Sequence, residues 1–488
     1  MVAANGRAMK NNRSVQKSKP TEDTDWVSRE FGGADLGDAR RDARLVGLAR
    51  ALAERPEVSL PQALQARAAL KAAYRFFDNE DISARDILAP HIASSVERMR
   101  GESVILAVQD TTFIDYGGHR ATEGLGPMND RNGWGLLCHG TLAFTPEGLP
   151  LGVLGLRVWA RDPKNRGIKA TRRLRGIEDK ESYKWLDSVQ ALARLREQLP
   201  GTRLVSVADR EGDVYEFFTQ AQALGVDLLV RAAWDRRVES PQGHVWSTLA
   251  KAPLLAQQRL QLPRSPGRAP RVAKLSLRAC PITLKPPSHT GATQKPISLW
   301  ALWACEMRPP AGVKAIEWML LSTIPIDSPE HACERLQWYA RRWGIEIWHR
   351  ILKGGCKIEA RQLESFDRLQ RLLSVYAVIA WRILYARMLA RLAPNVSASA
   401  ILAPEEWQAL YCRIHHTSTP PATAPPLRQA LRWIARLGGF LGRTGDGEPG
   451  VQTIWNGFHE LIALTDMYRI MNPDKSRKSK HSKIVGND

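Results

Sequence analysis

Apolar positions in the first hundred residues recur with a helical period. Leu45, Leu48, Ala49 and Leu52 share one face of a helical stretch running from Leu36 to Phe77, with a break at Arg55-Pro56 and a second helix expected from about Pro61. Near residue 101 the texture changes. Val104 to Val108 is an unbroken apolar run, the mark of a strand buried on both faces, and is expected to end at Gln109-Asp110. Gly140 to Arg161 alternates like two strands turning at Pro146-Glu147-Gly148. A helix over about 181–198 precedes another buried strand, Leu204 to Ala208, which ends on Asp209, and Leu228 to Ala232 adds a further strand. This alternation predicts an α/β core with a mixed sheet flanked by helices. Residues 235–315 are Pro-rich and β-like, and they read as a basic β insertion carrying Arg259, Arg264, Arg268, Arg271, Lys274, Arg278 and Lys285. Core texture returns at Trp318 to Thr323. Ser328-Pro329-Glu330 then opens one long helix expected to close at Gly354-Gly355. A second helix reaches about Ala393, and beyond a Pro-rich link at 420–426 the chain is again mostly helical.

Composition narrows the class. A chain of 488 residues is too long for one core, and 44% hydrophobic with 25% charged residues excludes a mostly disordered polypeptide. Lys and Arg number 70 against 50 acids, a formal charge of +20 that favours a polyanion, nucleic acid ahead of a membrane surface. The run Leu372 to Trp381, bounded by Arg371 and Arg382, falls short of the roughly 20 apolar residues of a membrane span. No transmembrane helix is expected. Arg7, Lys10, Arg13, Lys17 and Lys19 make the first 24 residues a basic tail unlike a signal peptide, and residues 471–488 form a second. Six cysteines without a C-x-x-C pair fit a reducing cytoplasm.

Candidate chemistry appears at three places. Arg40, Arg41 and Arg44 stand at a helix start, where the macrodipole disfavours cations, and Arg67, Lys71 and Arg75 form an i, i+4, i+8 stripe; an anionic partner would suit both. Asp110 and Asp209 each follow a buried strand, at the carboxyl ends where α/β sheets collect ligands. On the long helix Tyr339, Arg342, Glu346 and Lys353 fall at roughly 0°, 300°, 340° and 320°, a single face suited to metal and phosphate. Trp338, Trp343 and Trp348 spiral around the helix and read as packing. His415-His416 with Cys412 makes no regular metal site, and Gly438-Gly439 lacks a phosphate-loop Lys, so no nucleotide cofactor is expected.

The segment Y-A-R-R-W-G-I-E-I-W-H-R-I-L-K, Tyr339 to Lys353, resembles the Y-(2)-R-(3)-E-(6)-K signature of the insertion-sequence-4 family of bacterial DDE transposases, in its transposon-five branch. V-Q-D-T-T at 108–112 and V-A-D-R-E-G-D at 207–213 are similar to its two aspartate motifs. K-E-S-Y-K-W at 180–185, A-R-L-G-G-F at 435–440, D-L-G-D-A-R-R-D-A-R-L-V at 35–46 and A-Y-R-F at 73–76 also resemble it.

The resemblance implies a ribonuclease-H-like catalytic core at 101–234 and 316–390, interrupted by the β insertion at 235–315. A helical DNA-binding domain at 25–100 would precede it, and a helical dimerisation domain at 391–470 would follow. It implies that Asp110, Asp209 and Glu346 form a catalytic triad holding two Mg2+ ions, with Mn2+ as a substitute. Tyr339, Arg342 and Lys353 would grip DNA phosphates, Trp318 would stack a flipped base, and Arg210 and Glu211 would support Asp209. The partners implied are terminal inverted repeats, target DNA and a second copy of the chain. The activity implied is cut-and-paste transposition in the bacterial cytoplasm, through hairpin ends. A structure-specific nuclease with the same triad and a non-catalytic DNA-binding protein are the alternatives.

Overall fold

The computed structural model describes residues 25–119, 121–129, 133–165, 176–262, 270–287 and 294–473. The tail at 1–24, the terminus beyond 473, and Arg264 and Arg268 of the basic segment lie outside the described residues. The chain begins with helices α1 (Trp26–Phe31), α2 (Ala39–Glu54), α3 (Leu60–Leu64), α4 (Arg67–Asp78) and α5 (Ala84–Met99). Leu45, Leu48, Ala49 and Leu52 are buried as their spacing predicts. The second expected helix is interrupted, because Gln65 takes a positive φ of 56° and the helix restarts at Arg67.

Ten strands then build one mixed sheet: β1 (Val104–Asp115), β2 (Gly126–Pro127), β3 (Trp134–Phe144), β4 (Pro150–Trp159), β5 (Arg203–Ala208), β6 (Asp227–Arg231), β7 (Leu254–Leu262), β8 (Arg271–Leu284), β9 (Ile297–Glu306) and β10 (Glu317–Ser322). Their order is β2-β3-β1-β5-β6-β10-β9-β8-β7, with β4 off this path, paired with β3 on the side away from β1. An antiparallel β4-β3-β1 meander continued by parallel β5 and β6 is the ribonuclease-H-like arrangement. The basic segment is built into this sheet, since β9 pairs with β10 and carries β8 and β7 outward. Pro281 is tolerated in β8 because β7 pairs with it only as far as Arg278, leaving one side of the strand without a partner there.

Between these strands run α6 (Tyr183–Arg196), α7 (Tyr215–Leu224) and α8 (Val245–Lys251), and after them α9 (Pro329–Ala340), α10 (Trp343–Arg350), α11 (Phe366–Leu392), α12 (Pro404–His415), α13 (Leu427–Leu437) and α14 (Val451–Met471). Leu106 and Val108 of β1 point into the core layer shared with α9, α10 and α11, whereas Ile105 and Ala107 point into the layer of α6, α7 and α8. Burial on both faces explains the unbroken apolar run. By length and composition α11 could cross a membrane, a reading the sequence expectation missed by counting only between Arg371 and Arg382. Here it is a core helix: Arg371 donates to the Phe77 and Ile82 carbonyls, Arg382 to the Ile401 carbonyl, and most of its apolar window is buried.

Candidate active site

Strand alternation decides which residues meet. Val108, Val207, Leu229 and Leu320 all point into the α9–α11 layer, so Asp110, Asp209, Arg231 and Trp318, each two positions away, face the same side. Asp110 does not end its strand as expected, because β3 keeps pairing with β1 as far as Asp115. Its parallel neighbour β5 does stop, and continuing the register from the Val108–Val207 pair brings Asp209 alongside Asp110. Asp209 then caps a short turn, Arg210–Gly212, its carboxylate accepting the Glu211 N–H at 2.9 Å.

The single long helix expected over 329–355 is three segments. Arg341 donates to the Pro146 carbonyl of the β3–β4 turn at 2.7 Å, and Gly344 passes so close to the Phe144 ring that a Cβ would lie 2.6 Å from it. The backbone tightens there, with Arg341 and Arg342 N–H groups bonding the carbonyls of Trp338 and Tyr339. A π-helical turn, Ile351–Gly355, follows α10. Tyr339, Arg342 and Glu346 keep their common side facing the aspartates. Lys353, carried in the π-helical turn, instead pairs with Glu359 at 3.0 Å, near the end of β1 where Glu359 accepts the Asp115 N–H.

Arg342 joins two of the carboxylates. One guanidinium nitrogen lies 3.4 Å from Asp110 Oδ2 and the other contacts Glu346. The remaining Asp110 oxygen accepts the Thr111 N–H at 2.9 Å. His349 Nδ1 stands 4.0 Å from Asp110, and its buried Nε2 has no hydrogen-bond partner. Burial pushes the Asp110 carboxyl up, Arg342 draws it back, and the charges of Asp209 and Glu346 push it up again, to about 6. Burial and the nearby Lys353 and Arg342 hold His349 down at about 3, so its ring is neutral.

Tyr339 is buried edge-on against Trp318, with ring centroids 4.9 Å apart. Burial raises its phenol, while Arg342 and Arg231 on either side act to lower it. Trp318 also meets Trp343 at 5.6 Å and is 6% exposed. Arg231 escaped the sequence reading. Its guanidinium donates to the Glu317 carbonyl at 3.0 Å and stands beside Tyr339, with Arg210 and Arg342 nearby. A cation closing the buried run of β6, in line with the aspartate that follows β5, was the available signal. Trp338 and Trp348 pack as expected, and His415 packs over Tyr411 at 4.2 Å and edge-on against Trp433 at 5.0 Å.

The donor set is chemically right for a hard divalent cation: carboxylates, no thiolate, and an acid whose charge is opposed by burial and by its acidic neighbours. Among the described residues no three acidic, His or Cys side chains yet converge to enclose an ion. Arg342 lies between Asp110 and Glu346, supplying positive charge where a cation would.

The amino-terminal cations lie on the helical unit. The dipole conflict expected at α2 is relieved internally, because Arg40 pairs with the N-cap Asp38 at 2.9 Å and Arg41 with Asp81 at 2.8 Å. An anionic partner is therefore not required to explain them. Arg44, Arg67, Lys71 and Arg75 are exposed and lack an ion-pair partner among the described residues.

Two sequence families match this chain. Residues 23–82 match one described as transposase DNA-binding, and residues 378–473 match the transposase Tn5 dimerisation domain. The cryo-EM structure of a piggyBac transposase synaptic complex with hairpin DNA is similar over 92% of this chain and 77% of that one. Identity is 11% and the TM-score 0.36, a likeness too slight to carry a conclusion.

Proposed function

We propose that this chain, a Tn5-like transposase by its two flanking modules, cuts and pastes DNA at the carboxyl end of β5 through Asp110, Asp209 and Glu346. The single observation that carries the reading is Arg342 reaching both Asp110 and Glu346 above the end of β5, in a chain with a DNA-binding module on one side and a dimerisation module on the other. The three carboxylates would hold two Mg2+ ions, or Mn2+ in their place. Such ions supply an activated oxygen nucleophile and neutralise charge on the attacking and leaving oxygens.

The chain's own groups do the positioning. Arg342 offers a planar fork to a phosphate, and Tyr339 and Arg231 form a second donor pair beside it. DNA phosphate would draw Arg342 off the carboxylates, freeing them for the cations. Lys353 would meet the backbone further along β1. Trp318 would stack a flipped base only after its packing against Tyr339 and Trp343 opens. Two copies, joined through their carboxyl-terminal modules, would hold two inverted repeats, with Arg44 and the Arg67, Lys71 and Arg75 stripe on the DNA backbone. A bacterial nucleoid location follows from this activity.

The test is to incubate the protein in Mg2+ with DNA containing its gene and flanks and to map the ends on denaturing gels. Breaks at paired flanking repeats, hairpin ends and 3′ ends joined to a target plasmid are the expected products. Cutting at branched DNA without any joined product would instead identify a structure-specific nuclease.

A further inference from the structure

An exposed indole sits on a carefully anchored loop beside the site. Trp234 is 67% exposed, the most exposed tryptophan among the described residues, and forfeits the burial that a large aromatic ring usually contributes. Its loop is nevertheless rigidly held. Asp213, whose side chain is fully buried, accepts the N–H groups of Ala233 and Trp234 at 2.8 and 3.1 Å and the Arg236 guanidinium at 2.6 Å. Asp235 next accepts the N–H of Trp246 at 2.9 Å, placing a second partly exposed indole on adjoining backbone. A buried carboxylate is costly unless its donors are placed to meet it. Here the result is to fix the backbone of an exposed ring.

The loop is rooted beside the candidate site. Asp213 closes the turn that Asp209 opens, and Ala232 donates to the Met319 carbonyl, next to Trp318. Arg231 precedes the loop, while Arg210 and Arg237 are exposed around it. Two of the nearby acids are charge-paired, Asp213 with Arg236 and Glu211 with Lys184 at 2.7 Å, while Asp235 and Glu317 accept the neutral N–H groups of Trp246 and Trp303. A flat apolar ring beside exposed arginines matches a nucleobase flanked by phosphates, since every base has a π-face and stacking needs no particular sequence.

We propose that Trp234 is the platform on which an unpaired base of the DNA stacks when the strands open at the cleavage site, with Trp246 widening the same surface. The inference rests on the transposase reading above and adds a substrate feature to it: the enzyme prefers DNA with unpaired bases at the cut.

The experiment uses the full-length chain and fluorescence anisotropy on three probes: a blunt duplex, a fork with unpaired thymidines, and the same fork with abasic residues. Wild type should bind the thymidine fork about tenfold more tightly than the abasic fork. Trp234→Ala should erase that preference and leave blunt-duplex affinity unchanged, Trp234→Tyr should retain most of it, and 5-iodouracil in the tail should photo-crosslink to the peptide containing Trp234. A preference that survives in Trp234→Ala, or that disappears only in Trp318→Ala, overturns the assignment. So does wild type that binds the blunt duplex yet ignores the thymidines, which leaves the transposase reading standing. Failure to bind any of the three probes removes both.

Discussion

Two buried clusters in this molecule use the same residue types to opposite effect. Where α1 packs on α5 and α5 on β4, Arg98 grips Glu30 through a two-pronged contact of 2.7 and 3.1 Å, and His91 Nδ1–H donates to the same carboxylate at 2.6 Å. His91 Nε2 accepts the Val153 N–H at 2.9 Å, which requires a neutral ring. Burial pushes Glu30 up, but His91 and Arg98 more than offset it and hold the carboxyl at about 2. At the candidate active site the acid is Asp110, the arginine is Arg342 and the histidine is His349. There the arginine divides itself between two carboxylates, the histidine stays 4.0 Å away with Nε2 unpartnered, and the acid sits near 6. One cluster is satisfied and joins parts of the fold. The other is left short of positive charge, the condition that invites a cation or a phosphate-bearing ligand.

The contrast yields predictions of graded size. Glu30→Gln should be the most damaging, costing about 3 kcal/mol in urea unfolding, because it leaves Arg98 without its counter-charge inside the fold. The same pair governs acid stability. A carboxyl whose folded value lies below its ordinary one stabilises the fold above about 4.5, and that contribution drains away as pH falls toward about 2. The urea midpoint of wild type should therefore drop between pH 5 and 3, with a shallower drop in Glu30→Gln; parallel curves for the two proteins would show that the cluster is not the cause. Arg342→Ala should move activity and cation affinity in opposite directions, with several-fold tighter Mn2+ binding by calorimetry as the competing charge leaves, and slower DNA cleavage as the phosphate fork is lost. Asp110→Asn should change stability least, by less than about 1 kcal/mol in either direction, since it removes an acid whose charge burial opposes. A loss as large as that of Glu30→Gln would make Asp110 structural.

Much of this was legible in sequence because its signals are local. The unbroken runs before Asp110 and Asp209 marked strands buried on both faces, and the apolar face of α2 followed from Leu45, Leu48, Ala49 and Leu52. The spacing of Tyr339, Arg342 and Glu346 survived the break in their helix, as that break tightens the turn without rotating the group away. Lys353 did not stay with them because a π-helical turn intervenes. What sequence could not supply depends on pairing between distant segments. The extension of β1 past Asp110 is enforced by β3, the acids that neutralise Arg40 and Arg41 come partly from another part of the chain, and Arg231 earns its place only when β6 lies beside β5. Trp234 gave no signal at all, since an exposed ring and a buried one look alike in a sequence.

The central claim is that Asp110, Asp209 and Glu346 act as one metal-binding group, and it is tested most directly by nicking assays in Mg2+ on wild type, Asp110→Asn, Asp209→Asn and Glu346→Gln, with end binding followed on the same samples. The account predicts that each substitution lowers cleavage by at least about a thousandfold while DNA affinity stays within a few-fold of wild type. Cleavage that persists in any one of the three variants, at matched DNA binding, would contradict it.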